Sequence, residues 1–311
     1  MLSFHSYEDC VIAGQLLPEE NLRIYREKEL FRKAAFNVIP QRNPVAIILG
    51  GQNASGKSTL GNQFLSKYKR QGCGIVRIEG DALRDYHPKF EEYNQHDDKS
   101  MVAYTAKDSG IWTGRLIEDT ARSRMNMLIE TTMRSPDVVG ETARLLAKKG
   151  YDVQAKIFVV SYDKSLLGCY DRYEDLKSLR GAGRFVHDHS LVAAYEGMPK
   201  TLQRLQQEKH CSCIHLYTRT GVLFEGDYRL VDLLEIVHQE RRREFTPDER
   251  KFLNERWKIV CVRMFERGAT KEEFEEMKRR INQRIQSMIT EKYPQLNIDT
   301  IMDIYQTISC L

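Results

Sequence analysis

Gly51-Gln-Asn-Ala-Ser-Gly56-Lys57-Ser58 follows directly on the apolar stretch Pro44-Val-Ala-Ile-Ile-Leu49. Two glycines separated by four residues, then lysine and serine, fit a loop that wraps phosphate oxygens between a buried strand and a helix. Glycine lets successive backbone N–H groups point inward, and the following helix contributes the positive end of its dipole. Lys57 would reach the β- and γ-phosphates of a triphosphate, and the Ser58 hydroxyl would ligate Mg²⁺. The expected nucleotide contacts are Gly51, Gln52, Asn53, Ala54, Ser55, Gly56, Lys57, Ser58 and Thr59, with Ser58 as metal ligand.

Such a loop serves kinases, switch GTPases and ATP-driven motors alike. No Asn-Lys-x-Asp is present to read a guanine base, and Met127-Leu-Ile-Glu130 is a weak version of a motor's Mg²⁺-holding strand. A small-molecule kinase needs a carboxylate near the γ-phosphate to orient and deprotonate an acceptor hydroxyl. Asp81 stands where that group belongs, at the end of a strand soon after the phosphate-loop helix. It is also a candidate N-cap for Ala82-Leu-Arg-Asp, and the two roles are compatible. Arg172 and Arg184 flank a Gly-Ala-Gly bend. Spacing alone leaves them equally as lid arginines over a phosphoryl group or as a surface helix with Arg–Glu pairs.

These groups need a scaffold that brings them together. Strands are expected at 45–49, 74–78, 126–130, 152–160 and 213–217, with helices after the phosphate loop, around 111–124 and over 138–149. That alternation predicts an α/β, P-loop kinase-type fold: a mostly parallel sheet flanked by helices. Such sheets bind ligands beyond the carboxyl ends of their strands, where Lys57, Asp81, Glu130, Thr132 and Arg134 all fall. Three regions are expected: a helical segment (1–43), the kinase core (44–236) and a charged helical appendage (237–311). In the last, Phe252, Trp257, Val260, Met264 and Phe265 are candidates for one apolar face, and Thr270 starts a capped helix.

With 311 residues, 41% hydrophobic, the chain has enough apolar material for a full core. No apolar run approaches the roughly 18 residues of a membrane span. The N-terminus lacks a secretory pattern, which predicts a cytoplasmic protein or one exported without a cleaved signal. Seven scattered cysteines, an odd number, suit a reducing compartment. Cys211, Cys213, His210 and His215 match no zinc spacing and read as structural. Acids intersperse the C-terminal bases, which disfavours a nucleic-acid partner and hence a polynucleotide kinase.

Leu49-Gly-Gly-Gln-Asn-Ala-Ser-Gly-Lys-Ser-Thr-Leu60, Ile78-Glu-Gly-Asp-Ala-Leu-Arg-Asp-Tyr-His-Pro-Lys-Phe90 and Asn126-Met-Leu-Ile-Glu-Thr-Thr-Met-Arg134 resemble, in order and spacing, the zeta toxin family of phosphate-loop kinases. Asp171-Arg-Tyr-Glu174, Arg184 and Leu216-Tyr-Thr-Arg-Thr-Gly-Val222 extend the resemblance over roughly residues 40–230. It implies Asp81 as catalytic base, Lys57 with Arg172 and Arg184 on the phosphates, and Glu130, Thr132 and Arg134 on the acceptor. ATP or GTP with Mg²⁺ would phosphorylate the 3′-hydroxyl of the amino sugar in UDP-N-acetylglucosamine, and an antitoxin would restrain the enzyme. The C-terminal region has no clear match in short toxins and stays open as plain packing, the default, a built-in autoinhibitory element or a partner-docking element. Departures are Asn53-Ala54, where some members have Pro-Gly, and the helix Trp112-Thr-Gly-Arg-Leu-Ile-Glu118, where only Gly114 or Glu118 could align with an acidic substrate contact. The alternatives are another acceptor, such as NAD, another nucleotide or an antibiotic, and a non-catalytic ATP-binding switch.

Overall fold

The computed structural model describes residues 6–292. Residues 1–5 and 293–311, with Cys310, lie outside the described residues. Six strands form one sheet: β1 (Val45–Gly50), β2 (Val76–Glu79), β3 (Met127–Thr131), β4 (Asp152–Phe158), β5 (Cys213–Thr218) and β6 (Gly221–Phe224). Their order is β2-β3-β1-β4-β5-β6, with β1 to β5 parallel and β6 antiparallel to β5. Beyond the expected strands, the structure adds β6. The Gly221 turn returns the chain along β5 as a hairpin, too short to give a periodic signal of its own.

Central β1 is buried almost throughout, as a parallel strand covered on both faces must be. Ile47 and Leu49 face the helix Lys57–Arg70, meeting Leu60, Phe64 and Tyr68. Ala46 and Ile48 face the other layer, where Trp112, Leu116, Ala143, Met198 and Leu202 cover them. These come from the helices Ala106–Arg122, Pro136–Lys148 and Asp188–Glu208. Full burial of one such aliphatic side chain contributes about 1.5–3 kcal/mol, so Ile48→Ala, which also leaves a cavity, would cost about 2–5 kcal/mol.

Register then sets the site. Leu49 of β1 lies opposite Glu130 of β3, and Glu79 of β2 opposite the same Glu130. Three strands therefore end level, and β1 lies between β3 and β4 at the switch in strand order where such sheets open a crevice.

The helix expected around 111–124 begins earlier, at Ala106. Asp108 and Ser109 in its first turn are polar but buried. Asp108 accepts hydrogen bonds from Leu16 N (3.1 Å) and Asn21 Nδ2 (2.6 Å), and the Trp112 indole donates to Asn21 O (2.9 Å). The N-terminal segment supplies these partners: Asn21 from the helix Pro18–Glu27, and Leu16 from the connection between it and the helix Tyr7–Gly14.

The described residues divide into two compact units between Val260 and Cys261. In the second, Thr270 and Glu273 form a reciprocal cap, side chain to backbone N–H in each direction, at the start of the helix Lys271–Lys292. The expected apolar stripe on the helix Pro247–Glu266 is divided. Val260 and Met264, one turn apart, are buried, whereas Phe252 and Phe265 are exposed. Among the described residues Cys10, Cys73, Cys169, Cys211, Cys213 and Cys261 are free. Cys213 Sγ and His215 Nδ1 both contact the buried Lys156 ammonium, at 3.4 and 3.0 Å.

Candidate active site

The phosphate loop leaves β1 through Gly51 at φ +139° and enters the helix through Gly56 at φ +106°, values that a side chain resists. Ala54 also has a positive φ, +51°, and its neighbours hold it there. The Arg219 guanidinium donates to Ala54 O (2.6 Å) and Lys164 O (2.9 Å), and Ser165 Oγ donates to Asn53 O (2.6 Å).

Lys57 opens the helix, and its ammonium donates to Gly51 O (2.6 Å) and Gln52 O (2.8 Å). Burial pushes this lysine down to about 8; Glu130 opposes the shift and Arg172 adds to it. Glu130 itself is raised by burial against the pull of Arg77, whose guanidinium lies 2.7 Å away. Gly61, on the turn after Lys57, leaves room for the Glu130 carboxylate.

Asp81 sits in the first turn of the short helix Gly80–Leu83, with Glu79 in the N-cap position. Arg84 Nε donates to its carboxylate at 3.0 Å and is itself fixed to Val102 O and Thr105 Oγ1. Burial acts to raise Asp81, but Arg84, Arg172 and Arg184 together hold it below the usual aspartate value. It is an ionised acceptor at neutral pH.

After β3, Met133 takes a left-handed turn at φ +57°. Its N–H donates to Thr131 Oγ1 (3.1 Å) and its carbonyl accepts from Thr201 Oγ1 (2.7 Å). Gly197 lies so close to the Arg134 backbone that a Cβ would overlap it. The helix Asp188–Glu208 thereby seats the loop that carries Thr132 and Arg134. Arg172 projects from the helix Tyr162–Arg180, and Arg184 follows the loop that begins at its C-cap, Gly181. Arg184 pairs with Asp85 at 3.2 Å.

One cleft of about 460 Å³ gathers these groups. Lys57, Ser58, Asp81, Glu130, Thr132, Arg134, Arg172 and Arg184 all line it, as do Asn53, Ala54, Ser55 and Gly56. Gly51, Gln52 and Thr59 are not among its lining residues: Gly51 and Gln52 are buried beneath the loop, and Thr59 is exposed. The helix Ala106–Arg122 turns Ser109, Gly110 and Thr113 to the cleft, whereas Glu118 faces solvent beside Arg122. Sequence reasoning does not single out Arg84, Arg219, Tyr7 or Phe185. Arg84 could be found as the third residue after Asp81. Tyr7 and Phe185 reach the cleft through long-range packing that leaves no local pattern, and Arg219 acts from outside it by holding Ala54 O.

Comparison with known proteins bears on the family and the fold. A family model described as zeta toxin matches residues 28–228. Toxin PezT of Streptococcus pneumoniae is 38% identical over 135 residues, covering 43% of this chain and 52% of that protein. Toxin zeta of Enterococcus hirae is 32% identical over 185 residues, covering 58% of this chain and 62% of that protein. The chain thus spans between half and two thirds of the length of these curated relatives. A solved structure from the PezAT chromosomal toxin-antitoxin system of S. pneumoniae superposes with TM-score 0.65 at 25% identity, covering 81% of this chain and 97% of that one. The AvrRxo1-ORF1:AvrRxo1-ORF2 complex with ATP shares the fold at TM-score 0.51 and 13% identity, covering 79% of this chain and 81% of that one.

Proposed function

The chain belongs to the zeta toxin family, and on that basis we propose that it is a kinase moving the γ-phosphoryl of ATP or GTP to a hydroxyl of a nucleotide sugar. The preferred acceptor is the 3′-hydroxyl of the amino sugar in UDP-N-acetylglucosamine. The observation that carries the proposal is the meeting of four arginines and a lysine with one ionised aspartate in a single cleft. Phosphoryl transfer asks the protein mainly for positioning and for charge neutralisation, and this is the set of groups that supplies both.

In this reading the loop N–H groups and Lys57 hold the β- and γ-phosphates, while Arg172 and Arg184 close on the transferring group. Asp81 accepts a hydrogen bond from the acceptor hydroxyl, aims its oxygen at phosphorus and takes the proton as the bond forms. Its lowered pKa suits orientation first and proton acceptance late. Glu130, Thr132 and Arg134 hold the acceptor. Mg²⁺ bound with the nucleotide would neutralise phosphate charge, with Ser58 as its protein ligand. That fits the donor set, because Ser58 lines the cleft beside Lys57 and Mg²⁺ in kinases is carried largely by phosphates and water.

One observation favours a second reading, a different hydroxyl acceptor. The helix Ala106–Arg122 offers serine, glycine and threonine to the cleft rather than a carboxylate. An antitoxin partner belongs to either reading, since the solved neighbour comes from a toxin-antitoxin system.

Purified protein with Mg-ATP and UDP-N-acetylglucosamine, read by mass spectrometry, tests the proposal. A phosphorylated sugar nucleotide is expected from the parent, with turnover about 10²–10⁴-fold lower in Asp81→Asn and nucleotide binding retained. ATP hydrolysis without product would sink the acceptor assignment. Undiminished Asp81→Asn turnover would sink the role of Asp81.

A further inference from the structure

Gln52 lies second in the phosphate loop, is fully buried, and stands outside the cleft. Its side-chain amide bridges two elements distant in sequence. Nε2 donates to Val160 O, just past β4, at 2.7 Å, and Oε1 accepts from Arg241 Nη2 at 3.0 Å. Arg241 belongs to the helix Leu233–Arg242. Its guanidinium stacks on the Tyr195 ring at 3.9 Å from the centroid, and Nη1 donates to Tyr195 O at 2.8 Å. The backbone carbonyl of the same Gln52 accepts from Lys57 Nζ at 2.8 Å. A continuous line of contacts therefore runs from Tyr195 through Arg241 and the Gln52 side chain to the carbonyl that orients Lys57.

We propose that Arg241 is a positioning residue for the phosphate-binding loop, holding Gln52, and through it Lys57, in the conformation that receives a triphosphate. A planar guanidinium can do this because one edge grips the Gln52 amide, another the Tyr195 carbonyl, and the face rests on an aromatic ring. Lysine, a flexible point charge, cannot do all three. The buried Gln52 amide, satisfied on both its nitrogen and its oxygen, has one orientation open to it. Loss of Arg241 would leave a buried acceptor without its donor and free the loop to shift. The helix Leu233–Arg242 thus acts on the nucleotide end of the cleft.

The inference rests on the proposed nucleotide binding, and its test separates the two. Parent, Arg241→Met and Arg241→Lys chains are compared by ATP titration calorimetry, thermal melting and amide hydrogen exchange. Arg241→Met should weaken ATP binding about tenfold and raise exchange at residues 51–56, with exchange in β1 unchanged and Arg241→Lys intermediate. Arg241→Met combined with Gln52→Leu should be no weaker than the worse single variant, because both break one bridge. A lowered melting temperature with parental ATP affinity and loop exchange would reduce Arg241 to a packing residue and overturn the inference. Should Arg241→Met fail to fold, Arg241→Lys decides: parental affinity and loop exchange in that variant also overturn it. Should the parent bind no nucleotide, the proposed function fails, while loop exchange in the variants still reads the bridge.

Discussion

The Asp98 carboxylate accepts the backbone N–H of Gly183 at 2.9 Å, although 85 residues separate them. Lys177 Nζ and the Tyr173 hydroxyl reach the same carboxylate at 3.0 and 3.1 Å. Asp98 thus fastens the end of the helix that bears Arg172 to the loop that bears Arg184.

Removing it should loosen both arginines together. Asp98→Ala leaves Lys177 partly buried without its counter-ion, a change worth about 3–5 kcal/mol for a buried pair. Denaturant unfolding should show a loss toward the lower end, because the Lys177 side chain keeps 23% of its surface. The KM for ATP should rise several-fold at temperatures where the variant remains folded. An unchanged KM would mean that Arg172 and Arg184 do not depend on this anchor.

Lys57 gives a pH signature. Its folded value of about 8 lies below that of an unfolded lysine, so the stability it confers is complete above the unfolded pKa and is lost as pH falls through about 8. Between roughly pH 8 and 10.5 the melting temperature of the nucleotide-free parent should therefore gain on that of Lys57→Met. ATP affinity should run the other way, declining as pH rises through about 8, because the protonated ammonium attracts phosphate. A parent-minus-variant difference flat in pH would remove the proposed proton equilibrium from Lys57.

Gly197→Ala tests how the loop of Thr132 and Arg134 is seated. The added methyl meets the Arg134 backbone, and overpacking of this kind costs about 1–3 kcal/mol. The helix Asp188–Glu208 should still form, since alanine favours it. The KM for the acceptor should climb while that for ATP stays near parental. Equal rises in both would mean that the distortion spreads to the phosphate loop.

Much of this fold can be read from residue order. Val45–Leu49 is apolar without alternation, as a central parallel strand must be, and the Gly51-to-Ser58 spacing carries its chemistry in the residues themselves. Glu130, Thr132 and Arg134 are legible because a strand end announces where its side chains emerge. The contacts that steady these groups are not. Asp98 lies in a polar stretch resembling a surface turn, and its importance appears only once Gly183 folds against it. Arg241 sits within Glu240-Arg-Arg-Arg, where charge density suggests a solvated helix face. Only the tertiary fold selects one of three adjacent arginines to meet Gln52. The helix Ala106–Arg122 starts earlier than its sequence suggests for the same reason. Asp108 breaks the apolar periodicity, yet the N-terminal segment buries it.

The Lys57 ammonium donates to two loop carbonyls. On the proposed function, a nucleotide bound at Lys57 would exchange these acceptors for phosphate with proton uptake, because a phosphate dianion lifts a pKa that begins near 8. At that pH the protein should draw a fraction of a proton from its medium for each nucleotide bound. The heat of binding in Tris, which releases protons at high enthalpic cost, should therefore differ from the heat in phosphate buffer, and the difference counts the protons that Lys57 takes up.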